Sequence, residues 1–431
     1  MTDPLPVGCA RPFLGLGLIQ DPHSRRILKR AHFRETLPMV FRHTGFVVIA
    51  CVAMVASLSP QGQLRPDPEV LGRVPAELIE RLRADPFTYF RFINRPWTTR
   101  VCAAFADVRD LPLVRLHGDA HVGQFALTKD AWGLEDFDDS ARGPDVVDIV
   151  RFIGSIDLAT RERGWTSDRE ALRDRFFEGF RRGLSTPDYR PPEPDIVRYL
   201  RGQAPVTRAA HLAWGESQMQ PMEDALSKTV VEAMNAFDRF IRRERPDLAP
   251  RYFTVVRAGW INMGVGSALT RKVLIRVQGP TTDPEDDDLL EAKEVTSLDG
   301  IGCVEGPTTP RALRIIAGTR QLGRMKHDIL ATGPALLVPS SSDRAEHWLE
   351  WWISSWEPSY REVRLSDLRS VEDLSAIVYD AGVQLGEGEA KDAAVRKQEL
   401  SSVVRLESRL RKETSSIVEE LLAGWHELGG R

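Results

Sequence analysis

The sequence predicts an α+β protein with a larger helical lobe and a smaller β-rich one. Three observations carry this expectation. Apolar residues recur at helical spacing over about 66–110, 144–184 and 224–243, and again from Leu400 to Trp425. Over 251–296 the rhythm changes to the alternation of strands joined by glycine-rich and acidic turns. A proline-rich connector, Thr186–Asp195, punctuates the helical part. The expected divisions are an N-terminal extension at 1–63, a helical lobe at 64–250, a small β-rich lobe at 251–335, and a returning strand with C-terminal helices at 336–431.

Taken in order, the first feature is Phe46–Leu58, apolar and uncharged for 13 residues. It is shorter than the ~20 residues a membrane-spanning helix needs. A buried helix is favoured over a short anchor or late signal, although Arg25, Arg26, Lys29, Arg30 and Arg42 precede it. Leu71, Val74, Leu78, Ile79 and Leu82 then mark a helix, and a second runs from Pro86 through Phe105. Residues 113–137 read as strands (LVRLHG, QFALT, GLEDF). Ser167 and Glu170 form a capping-box pattern ahead of Leu172, Phe176, Phe177 and Phe180. Leu226, Val230, Met234, Phe237 and Ile241 line one face of a further helix. The strands RYFTVVRAGWINM, RKVLIRVQ and LLEAKEV follow, then a helix over about 310–330, a tryptophan-rich helix at His347–Trp356, a strand-like YREVRL and a final helix.

Composition narrows the function. In 431 residues, 42% are apolar and 28% charged, which excludes a disordered chain, a collagen-like fibre and a multi-span membrane protein. With 58 basic and 62 acidic residues the net charge is −4, so there is no bulk basic field for nucleic acid. Cys9, Cys51, Cys102 and Cys303 are scattered with no CxxC pair. Neither disulfides nor a cysteine zinc site is expected, and a reducing, cytoplasmic compartment is the simpler assumption.

The richest local chemistry is LHGDAHVGQF (Leu116–Phe125) followed by LEDFDDS (Leu134–Ser140). Pairing of these strands around the turn Lys129–Trp132 would set residue 125 opposite 136 and residue 124 opposite 137. Gln124 would then stand beside Asp136, with Asp119 in the loop before the first strand. Two carboxylates and an amide carbonyl at one hairpin end suit Mg²⁺, a hard cation that shares its oxygen ligands with phosphate. One carboxylate would remain to accept a proton from a hydroxyl. Downstream, Gly264, Gly266 and Ser267 make a turn whose backbone N–H groups can approach phosphate. Lys293 sits in the strand LLEAKEV. Plainer readings compete: strand turns need glycine, strand lysines usually face solvent, Asp138, Asp139 and Asp145 suit helix caps, and Asp283–Asp288 suits a solvated hairpin tip. His117 and His121 would bind zinc only on a helix, which Gly118 opposes.

On HGDAHVGQF, EDFDDS, Gly143-Pro144 with Asp148, GVGSALT and EAKEV, the sequence resembles an uncharacterised bacterial family, domain of unknown function 2252, over roughly residues 64–392. That family is in turn similar to the protein-kinase and aminoglycoside-phosphotransferase superfamily, whose catalytic loop reads HGDxHxxN. The resemblance implies a bilobal protein-kinase-like fold, circularly permuted because the catalytic loop precedes the glycine-rich loop and the lysine strand. Tyr360–Leu365 would be the hinge strand, and 371–391 the helix that leads into the catalytic loop. The implied activity is ATP- and Mg²⁺-dependent phosphoryl transfer to a hydroxyl of a small molecule or protein. Asp119 would be the general base, braced by His117 and Asp148. Asp136 would be the main Mg²⁺ ligand, with Gln124 in the place of an asparagine and Asp138 assisting. Lys293 would hold the α/β-phosphates under a lid of Gly264, Gly266 and Ser267. Two departures stand out: Gln124 itself, and Ala317 where a glutamate would pair with the lysine, leaving Glu305 or Glu294 as substitutes. They keep open an alternative, a pseudokinase-type nucleotide-binding module without efficient catalysis.

Overall fold

The computed structural model describes residues 64–203, 207–262, 264–265, 269–305, 310–333, 336–339 and 346–430. The apolar run 46–58 and the turn residues Gly266 and Ser267 lie outside the described residues. Ser59–Arg431 form one compact unit of α+β structure.

The chain begins with four short helices: α1 (Pro68–Leu71), α2 (Ala76–Ala84), α3 (Pro86–Phe92) and α4 (Asn94–Ala104). Asp67 and Asp85 each cap a helix that starts with proline, where the missing N–H costs nothing. Then come β1 (Leu113–Leu116), β2 (Phe125–Leu127), β3 (Trp132–Leu134) and β4 (Ala141–Pro144). Next are α5 (Val146–Arg163), α6 (Arg169–Ser185), α7 (Asp195–Arg201), α8 (Arg208–Gln218) and α9 (Asp224–Ile241). The expected Ser167 capping box does not form; a 3₁₀ turn at Thr166–Asp168 precedes α6, and the Ser167 hydroxyl donates to Asp168 instead.

The second half holds β5 (Val255–Trp260), β6 (Lys272–Val277), β7 (Asp288–Glu294), α10 (Ala312–Leu322), β8 (Leu330–Thr332), β9 (Leu336–Pro339), β10 (Glu346–Leu349), β11 (Trp351–Ser355) and β12 (Arg361–Glu362). It closes with α11 (Val371–Gly388) and the long α12 (Ala393–Glu427). An antiparallel sheet runs in the order β5-β6-β7-β11-β8. Strand periodicity sorts its two faces. Val273, Ile275, Val277, Leu290, Ala292, Trp351 and Ile353 pack on the apolar stripe of α9. Leu274 and Leu289 face Leu212 of α8 on the other side, and Lys272, Glu291 and Lys293 share that second face by register.

The expected tryptophan-rich helix at His347–Trp356 is instead the strands β10 and β11. WWIS is a continuous aromatic and β-branched run, and it is buried on both faces between β7 and β8, which a one-sided helix does not need. From YREVRL only Arg361–Glu362 is a strand, and it pairs with β2 rather than joining the large sheet.

Around α5, buried along nearly its whole length, α3, α4, α6, α11 and α12 form the main hydrophobic core. The α6–α11 crossing is close because glycines line it. A Cβ at Gly179 would lie 2.2 Å from the Tyr379 carbonyl oxygen, and one at Gly386 would lie 2.2 Å from that of Phe180. The cysteines give a second correction: Cys102 of α4 and Cys303 form a disulfide across 201 positions of sequence. Folding brings their Cα atoms to 5.4 Å, a proximity that spacing alone does not show. Among the described residues, no helix is long and apolar enough to cross a membrane.

Candidate functional site

The hairpin that carries the motif is tighter than its sequence suggests. The Thr128 N–H donates to the Ala131 carbonyl at 2.8 Å, and its hydroxyl accepts from the Ala131 N–H at 3.1 Å. The turn therefore closes one residue early, and Phe125 faces Leu134 rather than Asp136. A shift of two in the pairing keeps every side chain on its expected face, but it puts Gln124 opposite Glu135, whose N–H donates to the Gln124 carbonyl at 2.9 Å. Among the described residues the Gln124 side chain has no hydrogen-bond partner and does not meet Asp136. Gln384 of α11 fixes the hairpin, accepting from the Leu134 N–H at 2.7 Å and donating to the Leu134 and Leu322 carbonyls.

The loop after β1 is held by one carboxylate. Asp148, fully buried on α5, accepts from the N–H groups of His117 at 2.5 Å and Gly118 at 2.9 Å. The His117 ring lies 3.0 Å from the Glu135 carbonyl and 4.6 Å from the Phe137 ring, so it ties the two motif loops together. Burial holds its pKa down to about 4, despite the nearby Asp136 charge, so the ring is neutral. Asp119 meets a partner that the sequence did not announce. Arg151 of α5, itself 1% exposed and stacked 3.5 Å over the Phe90 ring, donates to Asp119 Oδ1 at 2.8 Å. Burial still pushes Asp119 up to about 7, against the pull of Arg151. Its Oδ2 lies 3.7 Å from His121 Nε2.

Asp136 leaves the hairpin in the left-handed region, at φ +65°, a conformation uncommon outside glycine and enriched at functional sites. Lys293, brought from β7, places Nζ 3.3 Å from Asp136 Oδ1 and also pairs with Asp138 Oδ2. Burial raises the Asp136 pKa, but Lys293 and then Lys272 outweigh it and hold the group well below the usual carboxylate range. Burial, then the charge of Asp136, pushes Asp138 up to about 7 and Glu135 up to about 8, with Lys293 opposing both. The three acids thus share fewer than three negative charges near neutral pH.

In the place of the expected glutamate, α10 offers Arg314. It donates to the Asp138 and Ser140 carbonyls at 2.6 and 2.8 Å and so fastens the acidic loop. Glu305 pairs with Arg142, and Glu294 accepts from the Arg271 N–H; neither takes up Lys293.

Glu135, Asp136 and Lys293 line a cavity of about 630 Å³, together with Gly264, Lys272, Glu291, His211, Trp214, Trp352, Trp356 and Tyr360; Asp138 and His117 do not. Its wall includes the connection from β11 to β12, where the Trp356 indole donates to Glu291 at 2.9 Å. Asp119, Gln124 and Asp148 are not part of that wall. Lys272, Glu135, Glu291 and Arg151 escaped the sequence reading. For Lys272 and Glu291 a signal existed, since both share strand parity with Lys293 once β6 and β7 are paired.

Among the described residues, no group of three His, Cys, Asp or Glu side chains could by itself hold a metal ion. What is present is an oxygen pair, Asp136 and Asp138, with Asp138 Oδ1 buried and unpartnered. That donor set suits Mg²⁺, which often takes one or two carboxylates and completes its shell with water and phosphate. Over residues 73–193 the chain matches the model of a family described as "Uncharacterized protein conserved in bacteria (DUF2252)". The matched span runs from the end of α1 to the connector before α7 and contains both motif loops. No curated protein and no solved structure matches the chain.

Proposed function

We propose that the chain is a kinase-like phosphotransferase of circularly permuted, bilobal design. It would bind ATP with Mg²⁺ in the 630 Å³ cavity and transfer phosphate to a hydroxyl of a small molecule or protein. The observation that carries this reading is the meeting of Lys293 with Asp136 and Asp138 across 157 and 155 positions of chain, with Lys293 and Asp136 in the wall of that cavity. An ammonium, a carboxylate and aromatic side chains lining one cavity are the kinds of group that a nucleotide's phosphates, metal and base call for.

In this reading Asp136 and Asp138 hold Mg²⁺, which when bound would neutralise charge on the phosphates. Lys293 then turns from the carboxylates toward phosphate oxygens. The Trp356–Tyr360 connection serves as the hinge between lobes, and the aromatic rings around it take the base. Asp148 and His117 hold the loop of Asp119 rigid, so catalysis rests on positioning and charge more than on covalent chemistry. An ATP-dependent role places the protein in the cytoplasm.

A second reading, a nucleotide-binding module without efficient catalysis, is favoured by one observation: Arg151 occupies Asp119 Oδ1, and Asp119 is not in the cavity wall. Calorimetric titration with ATP, with and without Mg²⁺, tests both. Wild type should bind ATP in a Mg²⁺-dependent manner. Asp136→Ala should lose that dependence; because Asp136 offsets the buried Lys293 charge, the variant should also melt lower without ligand, so its affinity is read well below that temperature. Equal metal-nucleotide affinity in the variant removes the metal role of Asp136. Turnover that disappears in Asp119→Asn while binding persists supports the transferase; binding with no turnover in wild type supports the module.

A further inference from the structure

We propose that Lys272 is a second phosphate-binding cation of this site, and that with it the site works with a single Mg²⁺. The inference rests on the nucleotide reading above and deepens it.

Lys272 and Lys293 are direct partners in the β6–β7 register, so their side chains leave the sheet on the same face. Both are buried, at 5% and 8% exposure, and both line the cavity beside Asp136. Like charges directly opposite on a sheet destabilise it. Asp136 and Asp138 already engage Lys293. Burial and the Lys293 charge both work against the charged form of Lys272, with Glu291, Asp138 and Asp136 opposing them. Two ammonium groups on one wall therefore gain most when a polyanion lies against both.

Gln124 gives the second half of the argument. The resemblance puts it in the place of a metal-binding asparagine, yet its side chain does not meet Asp136 and the residue does not line the cavity. Positive charge that a second ion would bring is instead built into β6. A chain of two or three phosphates offers more oxygens to both lysines and to a metal on Asp136 and Asp138 than a monophosphate does, so the contribution of Lys272 should grow with the number of phosphates.

Calorimetry with ATP, ADP and AMP at fixed Mg²⁺, on wild type, Lys272→Met and Lys272→Arg, tests this. Lys272→Met should weaken ATP at least about ten-fold, the scale of one charge-assisted hydrogen bond, weaken ADP as well, and weaken AMP least. Lys272→Arg should recover most of the loss. The unliganded melting temperature of Lys272→Met is measured alongside, so that a loss of ATP affinity is read at a temperature where both proteins are folded. Unaltered ATP affinity in Lys272→Met overturns the proposal. So does an equal loss for ATP and AMP with a lowered melting temperature, which marks a purely structural lysine. A wild type that binds none of the three nucleotides overturns the nucleotide reading itself, and with it this inference.

Discussion

Gly118 sits at φ +87°, and a Cβ there would lie 2.0 Å from the carbonyl oxygen of Asp139. The residue between His117 and Asp119 is therefore the point at which the two motif loops touch backbone to backbone. Gly118→Ala adds left-handed strain and a clash that neither loop can relieve by a side-chain rotation, so a loss of about 2–4 kcal/mol is expected. Urea denaturation measures it; a change under ~0.5 kcal/mol would mean that the loops are not in contact. At this scale much of the site was legible. HGDAH and EDFDD marked both loops, and the family resemblance, not the residues themselves, pointed to Asp148, whose carboxylate accepts from the His117 and Gly118 N–H groups. Arg151 was not legible. It lies 32 positions from Asp119, and nothing in the sequence of the helix tells which buried group its guanidinium will meet.

Between elements, the contact of most consequence is where α11 ends against the start of α5 and α12. Asp145 capping α5, Asp148 on α5, Glu389 after α11 and Glu399 on α12 are all buried, and Glu389 lies beside both Asp148 and Glu399. Burial, then the charges of Glu399 and Asp148, raises Glu389 well above the ordinary value; burial, then the charge of Asp145, does the same to Glu399, against a hydrogen bond from Glu389. Burial likewise raises Asp145 and Asp148 to about 7. An acid with a raised folded pKa keeps its proton longer when folded, so its stabilising effect is complete below the unfolded pKa and is lost as pH rises through the folded one. Buried His117 and His121, held low by desolvation, act oppositely, but only below about pH 6.5. Melting temperature should therefore fall between about pH 6.5 and 8, and Glu399→Gln should flatten that fall and raise stability at pH 8. Parallel melting curves for variant and wild type across this range would exclude the cluster as its source. Elements were legible in sequence where one face is wet, as along α9. They were misread where burial is two-sided, as in β11, and where a side-chain hydrogen bond moves a turn, as Thr128 does in the β2–β3 hairpin.

For the whole molecule, the Cys102–Cys303 bond is the longest-range covalent constraint among the described residues. It joins α4, in the helical core, to the segment that leads from Lys293 to α10. Composition argued for free thiols, and no spacing rule could have paired cysteines 201 positions apart. Closing so long a loop removes much disorder from the unfolded chain, and stabilisation of about 2–4 kcal/mol is the usual yield. The same segment is also fastened without the bond: Arg95 donates to the Ser297 carbonyl at 3.0 Å, and the Glu305 N–H donates to that of Arg142 at 2.8 Å. Cleavage should therefore lower global stability while leaving the cavity wall in register. Under reductant, or in Cys303→Ser, the urea midpoint should drop by the equivalent of those few kcal/mol, and Mg²⁺-dependent ATP affinity should change less than two-fold, within ~0.4 kcal/mol. Identical midpoints with and without reductant would show that the thiols stay free in solution, as a reducing cytoplasm would keep them. A collapse of affinity alongside stability would show that the bond, rather than the non-covalent ties, sets the position of Lys293.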